Sequence, residues 1–329
     1  MKKNLALALA VVLVFLAFGC SKASAPKAGS ATGASMLGLL PASSNGVFLV
    51  DVHRVMTTKA ATKALEDEES RKKYEEFVQE SGIDPVKDLY YLAAGLEIRP
   101  DAERVEATIV LNLKYDREAL LSKIREKVEN VDEMTYEGFT IYGFSVPGEG
   151  DKPYGAFLDE SNIVVGSDAG VKAVIDIIQK GADPVRKNEE MSAVIKGADT
   201  DALAWGAFVF SPELVEKMIK ENAMLAPLEG VTGLLTAFDY KNERALIDFR
   251  TTGGNPDNNK NLADSLNGLK AMGALASGER PVIGELLGRI DITSGPDFVR
   301  IHADSPQEIM DKLQNTAKSM VKGKLEPEK

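Results

Sequence analysis

Cysteine is nearly absent: the 329-residue chain has one, Cys20. A single thiol rules out a disulfide within the chain and a thiolate-rich metal site. Histidine is almost as scarce. His53 and His302 lie far apart, and neither has a second His or Cys at metal-ligand spacing. A zinc site would have to take nearly all its ligands from carboxylates, so neither a metal nor a cofactor is expected. Basic residues are outnumbered, 39 Lys and Arg against 50 Asp and Glu, for a formal charge of -11. Phosphate binding needs clustered Lys and Arg, so this balance argues against nucleic acid and against a body that adsorbs on anionic lipid. An acidic surface mainly aids solubility.

What is present is a 44% hydrophobic chain, enough to build packed cores. Its length suggests about two domains at ~150 residues each. Lys2 and Lys3 precede an uninterrupted apolar run, Leu5 to Phe18. A membrane-spanning helix needs roughly 20 apolar residues, so the run fits a signal-peptide core better than a permanent span. It closes on Leu16-Ala17-Phe18-Gly19-Cys20, which resembles the lipobox of bacterial lipoproteins. Leucine stands one position earlier than the box usually has it. The resemblance implies cleavage between Gly19 and Cys20 and a lipid on Cys20, so that residues 1–19 are the signal peptide. Two or more acyl chains suffice for stable anchoring. Ser21, in place of Asp, implies the periplasmic face of the outer membrane. Residues 20–36, SKASAPKAGSATGASM after the cysteine, have no aromatic residue and no periodicity, and are expected to be a flexible tether.

The body alternates strand and helix signals. Gly46 to Val52 reads as a strand, Arg54 to Ser81 as helix closed by Gly82, and Asp88 to Leu96 and Val105 to Leu113 as a hairpin. In the second of these strands Val105, Ala107, Ile109, Leu111 and Leu113 share one face, which predicts one buried and one wetter side. Asp116 caps a helix, strands follow near Phe139 to Phe144, Tyr154 to Leu158 and Ile163 to Gly166, and Ser167 caps another helix. The order then recurs: strand Leu203 to Phe210, a helix opened by Ser211-Pro212-Glu213, and a hairpin of Thr232 to Tyr240 with Ala245 to Arg250. Next come a helix through Leu262, Leu266 and Leu269, a hairpin of Leu286 to Thr293 with Phe298 to Ala303, and a helix opened by the capping box Ser305-Pro306-Gln307-Glu308. The expectation is an α+β fold of two tandem related units, residues 37–182 and 183–322. Both have mainly antiparallel sheets and helices packed on one face, and the second is followed by a charged tail, 323–329. A linker is expected over Lys180 to Asp201.

This layout resembles a family of bacterial envelope proteins known as a domain of unknown function. The likeness rests on Leu40-Pro41-Ala42 before GVFLVDV, Gly82-Ile83-Asp84-Pro85 before LYYLAAG, the stretch Leu158 to Asp176, and the return to a strand at Leu203. It supplies no activity, catalytic residue or ligand set to carry over to this chain.

No catalytic constellation is evident. Glu66-Asp67-Glu68-Glu69 adjoins Arg71, Lys72 and Lys73 and reads as a solvated helix face. Asp257-Asn258-Asn259 lacks the spacing of a calcium loop. Gly148-Glu149-Gly150 and Gly253-Gly254 lack the Lys-Ser/Thr of a phosphate loop. Trp205, Met218, Met224 and Met272 read as core. The expected function is a membrane-anchored envelope lipoprotein, not an enzyme, with a binding or assembly role toward an envelope protein partner. The alternative is a periplasmic carrier of a lipid or other apolar ligand, with Ile109, Leu111, Phe208 and Phe210 lining the cavity. A hydrolase gathering His53 or His302 with carboxylates ranks last.

Overall fold

The computed structural model describes residues 25–99, 105–128, 130–145, 152–278 and 281–323. The chain divides into Met1–Lys196 with Gly206–Phe208, and Gly197–Trp205 with Val209–Lys329. Antiparallel sheets with helices make it an α+β protein.

The first unit begins with α1 (Gly33–Leu37), β1 (Gly46–Asp51), α2 (Val52–Met56), α3 (Lys59–Ala64) and α4 (Glu68–Ser81). Gly82 ends α4 in the left-handed conformation, as its place after the last charged turn predicts. The sheet continues with β2 (Leu89–Glu97) and β3 (Glu106–Leu113). Helix α5 (Arg117–Lys127) follows, then β4 (Val131–Tyr136), β5 (Phe139–Phe144), β6 (Tyr154–Phe157), β7 (Asn162–Gly166) and α6 (Asp168–Lys180). In this unit the strands lie in the order β1-β2-β3-β7-β6-β5-β4, with β4 at the edge. Asp116 and Ser167 cap α5 and α6 through the N–H groups of Ala119 and Gly170. Each such cap contributes about 1 kcal/mol.

Strand β3 is buried on both faces, not one. Leu111 and Leu113 pack with Leu120, Leu121 and Ile124 of α5 and with Phe144, Phe157 and Ile163. Thr108, Val110 and Asn112, which point the other way, are buried too. A strand central in its sheet and covered from both sides loses the wet face that alternation alone suggests. Each fully buried Leu or Ile contributes roughly 1.5–3 kcal/mol. Strand β4 carries too many charges to read as a strand. It forms because Glu137 and Gly138 both take positive φ, the geometry of a tight hairpin turn, and pair it with β5.

The expected linker is folded onto the first unit. Val185 donates its N–H to Leu40 O at 2.7 Å, Asn188 Nδ2 reaches Ala42 O at 3.1 Å, and α7 (Glu189–Ile195) buries Met191. The chain therefore passes to its second unit after Lys196, later than composition suggests.

The second unit contains β9 (Val231–Lys241), β10 (Arg244–Gly253), β11 (Ile290–Ser294) and β12 (Val299–Pro306), in the order β9-β10-β12-β11, with β11 at the edge. Strand β8 (Ala204–Val209) and helix α8 (Pro212–Glu221) precede them, with Ser211 capping α8 and Pro212 in its first turn. Helices α9 (Pro256–Ala276), α10 (Pro281–Leu287) and α11 (Gln307–Gly323) complete it. The connectivity repeats that of β2-β3-β7-β6: a hairpin, a helical crossing, and a second hairpin whose last strand returns to the first. The first unit differs by the inserted β4 and β5.

Two local expectations fail here. Residues 286–287 are helical, so the hairpin begins only at Ile290. Ser305 does not cap α11: it pairs with Ala245 inside β12, and its buried hydroxyl has no hydrogen-bond partner. The ladder holds Ser305 extended, which overrides the local capping signal.

Candidate functional site

Cys20 and Gly19, the sequence-derived lipidation and cleavage residues, lie outside the described residues, as do the Gly148-Glu149-Gly150 loop and the last six residues. Among the described residues no helix is long and apolar enough to cross a membrane.

The tether is not free along its length. From Pro26 it is a strap bound to the first unit. Asn112 on β3 and Asn162 on β7 are direct cross-strand partners, and both are 0% exposed. Asn112 Nδ2 donates to Asn162 Oδ1 at 2.9 Å and to Pro26 O at 3.0 Å. Asn162 Nδ2 donates to the same carbonyl at 2.7 Å and to Asp159 Oδ1 at 2.9 Å. Asn112 Oδ1 accepts from the Gly29 N–H at 3.3 Å. Gly29 has φ +74, and a Cβ there would touch the Tyr90 ring at 3.4 Å. Thr32 and Ser35 then form a capping box for α1, which buries Met36 completely. Small polar composition suggests a coil. The strap orders because two buried amides need partners and its backbone supplies them.

The second unit holds a cavity of about 490 Å³ over one face of β9, β10 and β12, lined also by Gly197, Ala198 and Asp199. Alternation places Leu235, Ala237, Asp239 and Lys241 on that face of β9, Leu246, Asp248 and Arg250 on β10, and Arg300 and His302 on β12. Asp248 is the hub. Its Oδ2 accepts from Arg300 Nε at 2.7 Å and lies 3.0 Å from His302 Nδ1. The hydrogen bond to Asp248 raises the Arg300 guanidinium further above its ordinary value, against a smaller opposing effect of burial. Asp239 is buried and paired with Lys241. The Asp239 Oδ2 atom is within ion-pair reach of Lys241 even though it makes no well-angled hydrogen bond. At such close approach the charge attraction outweighs the angle. Arg250 stands opposite Arg300 in register and lies 4.5 Å above the Phe298 ring.

The two histidines part company. His302 enters this cavity beside a carboxylate. His53 sits in the short α2, its ring 5.8 Å from that of Tyr90. Among the described residues no group of three His, Cys, Asp or Glu could hold a metal ion. The acidic run behaves as a helix start: Asp67 caps α4 at Ser70 N, and Glu69 pairs with Lys73 at 2.5 Å. Asn259, one of three residues weighed as calcium ligands, is fully buried and donates to the carbonyls of Gly253, Gly295 and Pro296. Asn255 is the cap of α9. Trp205 is core, whereas Met272 is 58% exposed and fills no gap. Leu111 is packed among core side chains, and Ile109 packs against the same cluster.

No family model matches the chain, and no curated protein matches it. Solved structures do. "Structure of crystal form III of TP0453" aligns with TM-score 0.43 and 12% identity over 85% of this chain and 97% of that one. Crystal form IV of TP0453 gives 0.42 and 11% over 84% and 95%, and crystal form I gives 0.42 and 10% over 83% and 94%.

Proposed function

We propose that this chain is a lipid-anchored protein of the bacterial envelope, attached through Cys20, whose body acts in binding or assembly and not in catalysis. The observation that carries the reading is the apolar run Leu5 to Phe18 ending at the chain's sole cysteine. The strap adds a geometric consequence. Only the step from Cys20 to Pro26 separates the anchor from the first residue held by Asn112 and Asn162, about 20 Å at full extension. An anchored body is then kept against the lipid surface rather than on a loose leash.

The non-catalytic part rests on the cavity. His302 and Asp248 form a base and an orienting carboxylate, but Arg300 shares that carboxylate. The lining offers one hydroxyl, Thr236, and its register opposite Phe249 puts it on the other face of β9. Among the described residues of the lining no nucleophile stands beside this pair, which leaves it half of a hydrolytic site.

The test is mass spectrometry of the mature chain from bacterial membranes, beside the Cys20→Ser variant. The expected N-terminal peptide begins at Cys20 and carries diacylglyceryl and acyl mass, and the variant leaves the detergent phase for the aqueous phase. A mature N-terminus elsewhere, or an unmodified Cys20, would overturn the anchor.

A further inference from the structure

We propose that the cavity of the second unit binds a small organic monoanion, a carboxylate bearing an apolar or aromatic group, on the guanidinium of Arg250. This goes beyond the anchoring reading and holds whether or not Cys20 carries lipid.

The argument starts from the register. Arg250 and Arg300 are directly opposite on β10 and β12. Like charges facing each other across a ladder destabilise it unless each is offset. Arg300 is offset by Asp248, through Nε at 2.7 Å and Nη2 at 2.5 Å. That carboxylate oxygen also faces His302. Lys241 is offset by Asp239. Arg250 is different. Among the described residues it has no carboxylate at ion-pair distance, and its buried Nε has no hydrogen-bond partner. Its one described contact is the face of Phe298, 4.5 Å from the guanidinium carbon. Stacking holds a guanidinium flat and leaves its edge donors free for a planar acceptor.

The class of ligand follows from charge and shape. Lys241, Arg250 and Arg300 line the cavity against Asp199, Asp239 and Asp248, three side chains of each sign. One guanidinium without an ion-pair partner, in a lining that also carries three carboxylates, favours a single negative charge over a dianion such as phosphate. A carboxylate matches the Arg fork through two parallel hydrogen bonds. Leu235, Leu246 and Phe298 give the rest of the ligand an apolar floor. A volume of about 490 Å³ lies in the ~300–1,000 Å³ range of small-molecule sites.

Benzoate is the probe, titrated calorimetrically into the full mature protein in detergent. Acetate, benzyl alcohol and inorganic phosphate are the competitors. The expected result is one saturable site, weakened about tenfold or more in Arg250→Met and unchanged in Arg289→Met, which alters an arginine outside the lining. Benzyl alcohol should not compete, and acetate should compete better than phosphate. The thermal melt of each variant accompanies its titration. Nitrogen-15 spectra of the unmutated protein supply a readout that needs no variant to fold: benzoate should shift one Arg Nε–H signal. No saturable binding at millimolar benzoate, equal binding by Arg250→Met, stronger competition by phosphate, or an unmoved Nε–H signal would each overturn the proposal.

Discussion

Asn112 and Asn162 face each other on neighbouring strands, fully buried, and both donate to the single carbonyl oxygen of Pro26. Replacing Asn112 by Ala leaves the Gly29 N–H and Asn162 Oδ1 without this partner. A buried polar group left unpaired costs ~1–3 kcal/mol, so denaturant unfolding of Asn112→Ala should show a loss of that order. The strap should also loosen, and trypsin should cut after Lys27 faster than in the unaltered protein. Unchanged cleavage at Lys27 would show that the amides do not hold the strap.

How far the sequence could be read divides along the same line. The caps Asp116, Ser167 and Ser211 were legible because a cap is satisfied within three residues. The strap was not, because its partners lie 86 and 136 residues away. An asparagine inside each of two apolar strands was the available signal. Ser305 carried a strong local cap signal that pairing with Ala245 overrode. In the cavity, His302 could be singled out from its scarcity. Its partner Asp248 and the Arg250–Arg300 opposition depend on strand register, which the alternating pattern of each strand leaves open.

A second expectation concerns Gly253 and Gly181. Both have positive φ, +80 and +68, but a Cβ at Gly253 would come within 2.7 Å of Gly230 O while one at Gly181 meets nothing within 4 Å. Gly253→Ala combines backbone strain with a clash against main chain. It should cost more than the ~1 kcal/mol expected of Gly181→Ala, where only the conformation is strained. Thermal melts of the two variants check the order, and equal losses would refute it.

The pH dependence of stability should carry the mark of Asp304. Its hydrogen bond from Arg244, at 2.6 Å, holds the carboxyl below its ordinary range, against a smaller opposing effect of burial. A carboxyl depressed in the folded state contributes stability that is full above its unfolded value of about 4 and is lost as pH falls through the folded value. Asp304→Asn should therefore flatten the acid limb of the urea midpoint below about pH 4 while leaving its slope near neutrality unchanged. An acid limb as steep as that of the unaltered protein would count against this assignment.

Truncations of apolar residues should separate sharply by burial. Leu113→Ala removes a fully buried side chain from the first unit's core and should cost about 2–5 kcal/mol. Leu275, 85% exposed near the end of α9, should be replaceable by Ala within about 0.5 kcal/mol. Denaturant midpoints of the pair provide the comparison. A large loss at Leu275 would mean that this end of α9 is covered in the folded protein.

The edge strands β4 and β11 carry a further consequence. Each is short, and each turns acidic residues outward: Asp132 and Glu133 on β4, Asp291 on β11. Asp132 pairs with Lys152, and Glu133 with Arg125 at 2.8 Å. Charged, brief edges are poor templates for another chain's backbone. At these two margins a neighbouring copy gains little by adding a strand, so close crowding should not drive the molecules to polymerise through their sheets.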